Sequence, residues 1–245
     1  MKKLIAAIGC IFFLYGSLNA QENNKQTPKQ KIDLSNRAND HFMIQYGVDG
    51  WLNTPDSINP SGFSRHFNFY VMLDKPFRSS PHFSVGIGVG IGSSNIFFKN
   101  TLVDLKSATT TFLPFKNVST TFHYDKYKLT TIFAELPLEL RYAGNPVQPD
   151  KGFKMAFGVK VGTLLKAYTK GKNLLDANGT TVYGDKFIQK ESEKRFINST
   201  RFAVTGRIGY GNFSLDGSYQ LNSFLKEAAG ASIHPYSIGL TISGL

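Results

Sequence analysis

The sequence predicts an all-β protein: an antiparallel up-and-down transmembrane β-barrel of about eight strands, following a cleaved signal peptide. Three observations predict this fold. The N-terminus has the charge and apolar pattern of an export signal. From His41 onward, apolar residues alternate with small or polar residues at a period of two, which indicates strands. The connections between these strands alternate between long and short, as in outer-membrane barrels.

Residues 1–20 are the predicted signal peptide. Lys2 and Lys3 precede an apolar run, and Ser-Leu-Asn-Ala at residues 17–20 offers a cleavage site. The run is too short for a mature membrane helix, which needs roughly 20 residues. Residues 21–40 are polar and lysine-rich and are predicted to form a flexible lead-in. The barrel domain is therefore expected at residues 41–245.

The single cysteine, Cys10, lies inside the apolar run. A lipoprotein cleavage box there would leave too short an apolar stretch before the cut, so a mature chain without cysteine is expected. Such a chain has neither a thiol nucleophile nor a thiolate metal site. The histidines are dispersed and lack metal-ligand spacing: they are His41, His66, His82, His123 and His234. We expect no metal and no cofactor.

The formal net charge is +11, and removing Lys2 and Lys3 leaves +9. These charges are scattered along the chain and do not form the basic stripe of a nucleic-acid-binding protein. Export also separates the chain from nucleic acid. The expected partners of a basic surface outside the cell are outer-membrane lipid and acidic surface polymers.

The clearest predicted strand is residues 82–97, where valine and isoleucine alternate with the glycine row Gly86–Gly92. Strict alternation within one strand differs from the turn that a nucleotide-binding glycine loop requires. Less regular alternation predicts further strands at residues 42–49, 66–73, 132–142, 155–162 and 236–242.

Two more strands flank Gly211-Asn212, a two-residue hairpin signal. The register that this turn implies places Ile208 opposite Leu215 on one face and Arg207 opposite Asp216 on the other. We predict that the charged pair points into the barrel and the apolar pair points to lipid.

A membrane barrel explains the two strand faces better than a soluble one. The less apolar face is largely Gly, Ser, Thr and Ala, which suits the inner wall of a narrow barrel. Aromatic residues near the strand ends, Trp51 among them, suit interfacial girdles. We expect a bacterial outer-membrane location with both termini periplasmic. A soluble periplasmic ligand-binding barrel is the alternative.

The charged residues of the predicted strands cluster on common faces. Glu135, Glu139 and Arg141 share a face with Lys160 on the next strand, and Arg201 shares one with the Arg207–Asp216 pair. They form either a polar path or an interior network of ion pairs. An eight-stranded barrel has room only for side chains, which favours the network. The interior ion-pair candidates are Glu135, Glu139, Arg141, Lys160, Arg207 and Asp216.

Five segments resemble the PorT-type outer-membrane β-barrel domain of Bacteroidota. They are Gln21-Glu22, residues 83–90, residues 136–142, residues 158–162 followed by Leu164, and the closing residues 238–242. The resemblance covers most of the chain from about Phe42 to the end, and it implies the barrel fold.

The expected function is a non-enzymatic outer-membrane barrel with a structural, adhesive or accessory role. Recognition of a protein or polysaccharide would use the long outer loops, around Leu102–His123 and Thr169–Asn198. The alternative is a lipid-active enzyme of the same fold. However, no histidine shares an outward register with a serine and a carboxylate, so no catalytic residues are predicted.

Overall fold

In the computed structural model, the described residues are 41–55, 58, 60 and 63–244. The predicted signal peptide and lead-in lie outside these residues and stay predictions. Eight strands form the barrel: β1 (Phe42–Leu52), β2 (Arg65–Pro76), β3 (Phe83–Phe98), β6 (His123–Ala143), β7 (Phe153–Leu175), β9 (Thr200–Tyr210), β10 (Phe213–Gln220) and β11 (His234–Ser243). Three short strands, β4 (Thr101–Val103), β5 (Phe115–Asn117) and β8 (Ile188–Ser192), lie outside the ring.

The barrel is a closed antiparallel ring. Its hydrogen-bonded order is β6-β3-β2-β1-β11-β10-β9-β7, and pairing of β7 with β6 closes it. The predicted eight-stranded, up-and-down barrel is confirmed. No helix in the described part of the chain is long and apolar enough to cross a membrane.

The glycine row of β3 makes space for charged side chains inside the barrel. A Cβ atom at Gly92 would lie 2.6 Å from Glu135 Oε2, and one at Gly86 would lie 2.5 Å from Arg141 Nε. A side chain at either position would displace the Glu135 carboxylate or the Arg141 guanidinium of the neighbouring strand. The glycines therefore serve packing of the interior.

The predicted β9–β10 register is confirmed. Arg207 pairs with Asp216 and Ile208 pairs with Leu215 across the Gly211-Asn212 turn. The first pair is buried, whereas Ile208 and Leu215 are 50% and 54% exposed on the outer face. Gly211 has φ of +62°, a conformation that this tight turn requires and that glycine adopts without strain.

The two ends of the barrel differ. At the short-turn end, β1 and β11 meet through the pair Met43–Ser243, and residues 77–82, 144–152 and 211–212 form the connections. The long connections lie at the opposite, long-loop end.

The two long connections predicted around Leu102–His123 and Thr169–Asn198 contain strands that the sequence analysis does not predict. Strand β6 begins at His123, β7 continues to Leu175, and β8 pairs with β7 beyond the ring. Strands β4 and β5 form a hairpin within the first of these segments. The strands continue because their inner faces become apolar there and bury a core.

The predicted position of Trp51 in an interfacial girdle is wrong. Its side chain points inward and is 8% exposed. Its ring centroid lies 5.7 Å from that of Phe98 and 5.0 Å from that of Phe224. Trp51 belongs to the core at the long-loop end, because an inward position at that level faces apolar loops.

Candidate functional site

The outer face of the barrel carries a band of outward-facing apolar side chains, most of them exposed. On β6 the band runs from Ile132 to Tyr142, and on β7 from Phe153 to Leu165. Ten residues span about 33 Å of strand, or about 25 Å along the axis at a tilt of about 40°. That is the height of the apolar band of an outer-membrane barrel. A soluble barrel would place this face inside.

Glu139 is the centre of one group of interior ion pairs. Its Oε2 lies 2.7 Å from Arg207 Nη2 and 2.9 Å from Arg141 Nε. Arg207 Nε donates a further hydrogen bond to Glu139 Oε1 at 3.1 Å. Arg141 Nη1 lies 3.5 Å from Asp74 Oδ1, which also accepts a hydrogen bond from Ser84. The pairs join residues of β2, β6 and β9 across the lumen.

Glu135 is the centre of a second group, nearer the long-loop end. Its Oε1 lies 2.9 Å from Arg201 Nη1, and its Oε2 lies 3.4 Å from Lys160 Nζ. The Tyr70 hydroxyl donates a hydrogen bond to Oε2 at 2.5 Å. Arg201 also lies 4.0 Å above the ring of Phe133. Glu135 is 1% exposed, so these partners replace its hydration.

Asp216 takes part in a separate polar chain. It accepts a hydrogen bond from Thr241 Oγ1 at 2.8 Å. Thr241 in turn accepts one from Gln45 at 3.0 Å, and Gln45 accepts one from Asn68 at 3.1 Å. Asp216 and Arg207 are directly opposite in register, while the salt bridge of Arg207 is made with Glu139.

The charges that point into the barrel balance in number over the described strands. They are five cations, Arg141, Lys154, Lys160, Arg201 and Arg207, and five carboxylates, Asp49, Asp74, Glu135, Glu139 and Asp216. Two cavities between these side chains measure about 20 and 30 Å³, enough for single water molecules. Side chains thus fill the lumen at this level, as expected for eight strands.

His66, Asp49 and Ser94 form the interior arrangement that most resembles a catalytic triad. His66 Nδ1 lies 2.8 Å from Asp49 Oδ1, and the Ser94 hydroxyl donates to Asp49 Oδ2. Serine and imidazole therefore bond the same carboxylate, whereas a triad requires the serine to bond the imidazole. All three lie inside the filled lumen. In the described ranges, no group of three or more His, Cys, Asp or Glu side chains is placed to hold a metal ion.

The long-loop end is closed by an apolar core, which we call the outer cap. It combines inward residues of the strands with residues of the loops: Trp51, Ile96, Phe98, Val103, Leu105, Leu113, Tyr127, Leu129, Phe133, Leu164, Ala167, Phe196, Ile197, Phe224, Leu225, Ala229 and Ile233, together with Ile58. Sequence reasoning missed this core. The inward register of Leu129 and Leu164 was its signal.

Tyr127 joins the β4–β5 hairpin to the barrel. Its hydroxyl accepts a hydrogen bond from Val103 N at 3.2 Å and donates one to Val103 O at 2.9 Å. Burial in the outer cap, above the apolar band, raises the pKa of Tyr127 to about 12. The neutral phenol is the form that satisfies both groups of Val103.

Comparison with known proteins assigns the family. The outer membrane protein beta-barrel domain family matches residues 14–226. The chain belongs to this family. The match includes every barrel strand except β11. Together with the outward apolar band, family membership locates the protein in the outer membrane.

Comparison with solved structures finds matches of low identity and low TM-score. Ail, the attachment invasion locus protein of Yersinia pestis, is 13% identical with a TM-score of 0.35, covering 84% of this chain and 99% of that chain. A second Ail structure, in complex with the heparin analogue sucrose octasulfate, is 10% identical with the same TM-score and coverage. A mutant Rh. blastica porin is 7% identical with a TM-score of 0.21, covering 84% and 98%. No curated protein sequence matches the chain.

Proposed function

We propose that the protein is a non-enzymatic, non-conducting outer-membrane barrel with a structural, adhesive or accessory role, and that any recognition uses the outer cap. The observation that carries this proposal is closure of the lumen at two levels. Buried ion pairs fill the middle of the barrel, and the apolar core fills the long-loop end. A barrel closed in this way supports a surface role over transport.

Both termini are proposed to be periplasmic. The described chain ends and the short connections share one end of the barrel, and short turns are periplasmic in outer-membrane barrels. The cap then faces the outside of the cell. Within the family we further propose the PorT-type group, on the segments quoted above.

The cap presents aromatic side chains that the core does not use. Phe112, Phe122 and Tyr183 are 54%, 60% and 68% exposed. They lie on the two segments predicted to recognise partners. Leu113 of the first segment and Phe196 of the second belong to the buried core, which anchors both segments to the barrel. Exposed aromatic rings on a rigid base suit a protein or a polysaccharide partner.

Conductance in planar lipid bilayers tests the closed lumen. We expect purified protein to insert without producing channel steps. Steady conductance through single barrels would refute the proposal.

Cell-surface binding tests the cap. Cells displaying the wild type, F112S/F122S/Y183S, or the matched loop variant S119A/T120A/N178A would be applied to immobilised matrix proteins and polysaccharides. We expect the aromatic variant alone to lose binding. Equal binding by all three would exclude these aromatics from recognition.

Lipid A from a deletion strain tests the enzymatic alternative. We expect its acylation to be unchanged. An altered pattern that His66→Ala or Ser94→Ala reproduces would overturn the non-enzymatic proposal.

A further inference from the structure

A row of lysines crosses the outer wall just above the apolar band. Lys128 on β6 is directly opposite Lys170 on β7, and Lys170 is directly opposite Lys190 on β8. Residues opposite one another on a sheet have Cβ atoms about 5 Å apart, and like charges at that distance repel. We call these three residues the lysine row.

The neighbouring positions of this wall do not neutralise the row. The register above it is Lys126, Lys172 and Ile188, and the register below it is Thr130, Tyr168 and Ser192. Across these two registers, the described wall carries no carboxylate. Lys128 Nζ donates a hydrogen bond to Asn95 Oδ1 at 2.7 Å, but this amide carries no charge. The row therefore concentrates positive charge that an external anion can neutralise.

Aromatic rings hold the cations along the wall. Lys190 Nζ lies 4.0 Å and Lys166 Nζ 5.9 Å from the ring centroid of Tyr168. Phe97 has Arg65 at 5.3 Å and Lys128 Nζ at 5.8 Å. Such contacts favour charged groups lying flat against the barrel, as interfacial side chains do.

The position of the row relative to the membrane identifies the ligand. Lys128 is four residues beyond Ile132, where the apolar band ends, and that distance is about 10 Å along the axis. Lys166 lies at the band edge, beside the bulge opposite Ile132. Lysine side chains can reach back from this height to the head-group region of the outer leaflet.

An open groove of about 570 Å³ adjoins the row at Phe97. Its lining includes Phe63, Arg65, Lys99 and Lys126, with Asp125 as a carboxylate. The groove has room for the sugar that would carry a phosphate, and its aromatic and cationic side chains would contact that sugar.

We propose that the lysine row binds the phosphate groups of an anionic, phosphorylated glycolipid in the outer leaflet. Each lysine near an anionic surface contributes about fivefold in affinity, so the row accounts for on the order of 100-fold. This proposal does not depend on recognition at the cap.

The test is binding of bisphosphorylated lipid A, its dephosphorylated form and inorganic phosphate to the purified full-length protein in neutral detergent. We expect wild type to bind only bisphosphorylated lipid A, and K128Q/K170Q/K190Q to bind it at least tenfold more weakly. The matched variant K186Q/K194Q/K226Q removes equal charge from exposed loop positions and should bind as wild type. K128R/K170R/K190R should retain binding, which separates loss of charge from loss of folding.

Three results would overturn the proposal. Equal binding of dephosphorylated lipid A would show that phosphate is not recognised. Competition by low concentrations of inorganic phosphate would show a soluble anion site instead of a lipid site. Equally weaker binding of lipid A by both glutamine variants would show that binding depends only on the net charge of the protein.

Discussion

The lower and upper halves of β6 and β7 have opposite polarity. In the lower half, Glu135, Glu139 and Lys160 point inward, and Leu138 points outward. In the upper half, the inward positions carry apolar residues of the outer cap, and the outward positions carry the lysine row. The reversal occurs at the bulge between Ile132 and Phe133.

The reversal shows that the surrounding medium decides which residues point outward. Lipid solvates an apolar outer face and requires polar groups to be satisfied inside. Above the membrane, water surrounds the same strands and the usual arrangement of a soluble protein returns. The bulge and the change of polarity together mark the edge of the membrane-spanning region at the long-loop end.

The lower half should be most sensitive to loss of a buried carboxylate. Glu139→Gln leaves Arg207 and Arg141 without their shared partner, and we expect it to cost about 3–5 kcal/mol of unfolding free energy. Urea unfolding in lipid vesicles measures this cost. Glu227→Gln removes the same charge from an exposed position and should cost under about 0.5 kcal/mol.

A double substitution sharpens this test. Glu139→Gln with Arg207→Gln removes both members of the shortest pair, so the double variant should be more stable than the sum of the two single costs predicts. Strict additivity would mean that the lumen is wet enough to hydrate each charge separately.

Two apolar side chains of similar exposure should differ in their tolerance of a charge. Leu138 on β6 is 46% exposed in the apolar band, and Ile188 on β8 is 50% exposed above it. Leu138→Arg should cost about 2–4 kcal/mol near mid-membrane, whereas Ile188→Arg should be close to neutral. Equal effects on insertion into vesicles would contradict the assigned boundary.

Much of this fold could be predicted from the sequence. The strand faces, the β9–β10 register and the strand number follow from period-two alternation and from the Gly211-Asn212 turn. These features are local, because turn length fixes register and a strand alternates its side chains between two faces.

The interior network and the cap could be predicted only in part. Period-two alternation places Glu139 and Arg207 inside the barrel. It does not predict their salt bridge, which forms because β6 and β9 flank β7 and the curved wall brings their inward side chains together. His66, Asp49 and Lys154 were missed because no single strand shows a charge pattern for them. The cap was missed because its core joins loops from distant parts of the chain.

The upper half of β6 and β7 should lose stability at high pH. Because burial raises the pKa of Tyr127 to about 12, the stability that its neutral phenol contributes is full below the ordinary value of 10.0 and is lost as pH rises towards 12. Tyr127→Phe removes both bonds to Val103 and should cost about 1–3 kcal/mol in local stability.

Limited proteolysis of the β4–β5 hairpin at neutral pH measures the local cost, and tyrosinate absorbance locates the titration. We expect the wild type to show a tyrosinate transition near pH 12 that Tyr127→Phe lacks. Loss of absorbance amplitude near pH 10 instead, the ordinary value for tyrosine, would show that Tyr127 is solvated.

Spin-label accessibility along the outer face of β6 tests the reversal of polarity most directly. Single cysteines would replace every second residue from Leu140 to Lys126 in a chain whose Cys10 has been removed. We predict high collisions with oxygen from Leu140 to Ile132, and a change to high collisions with a polar nickel chelate by Lys128. Oxygen accessibility continuing through Lys126, or chelate accessibility at Leu136, would contradict the account.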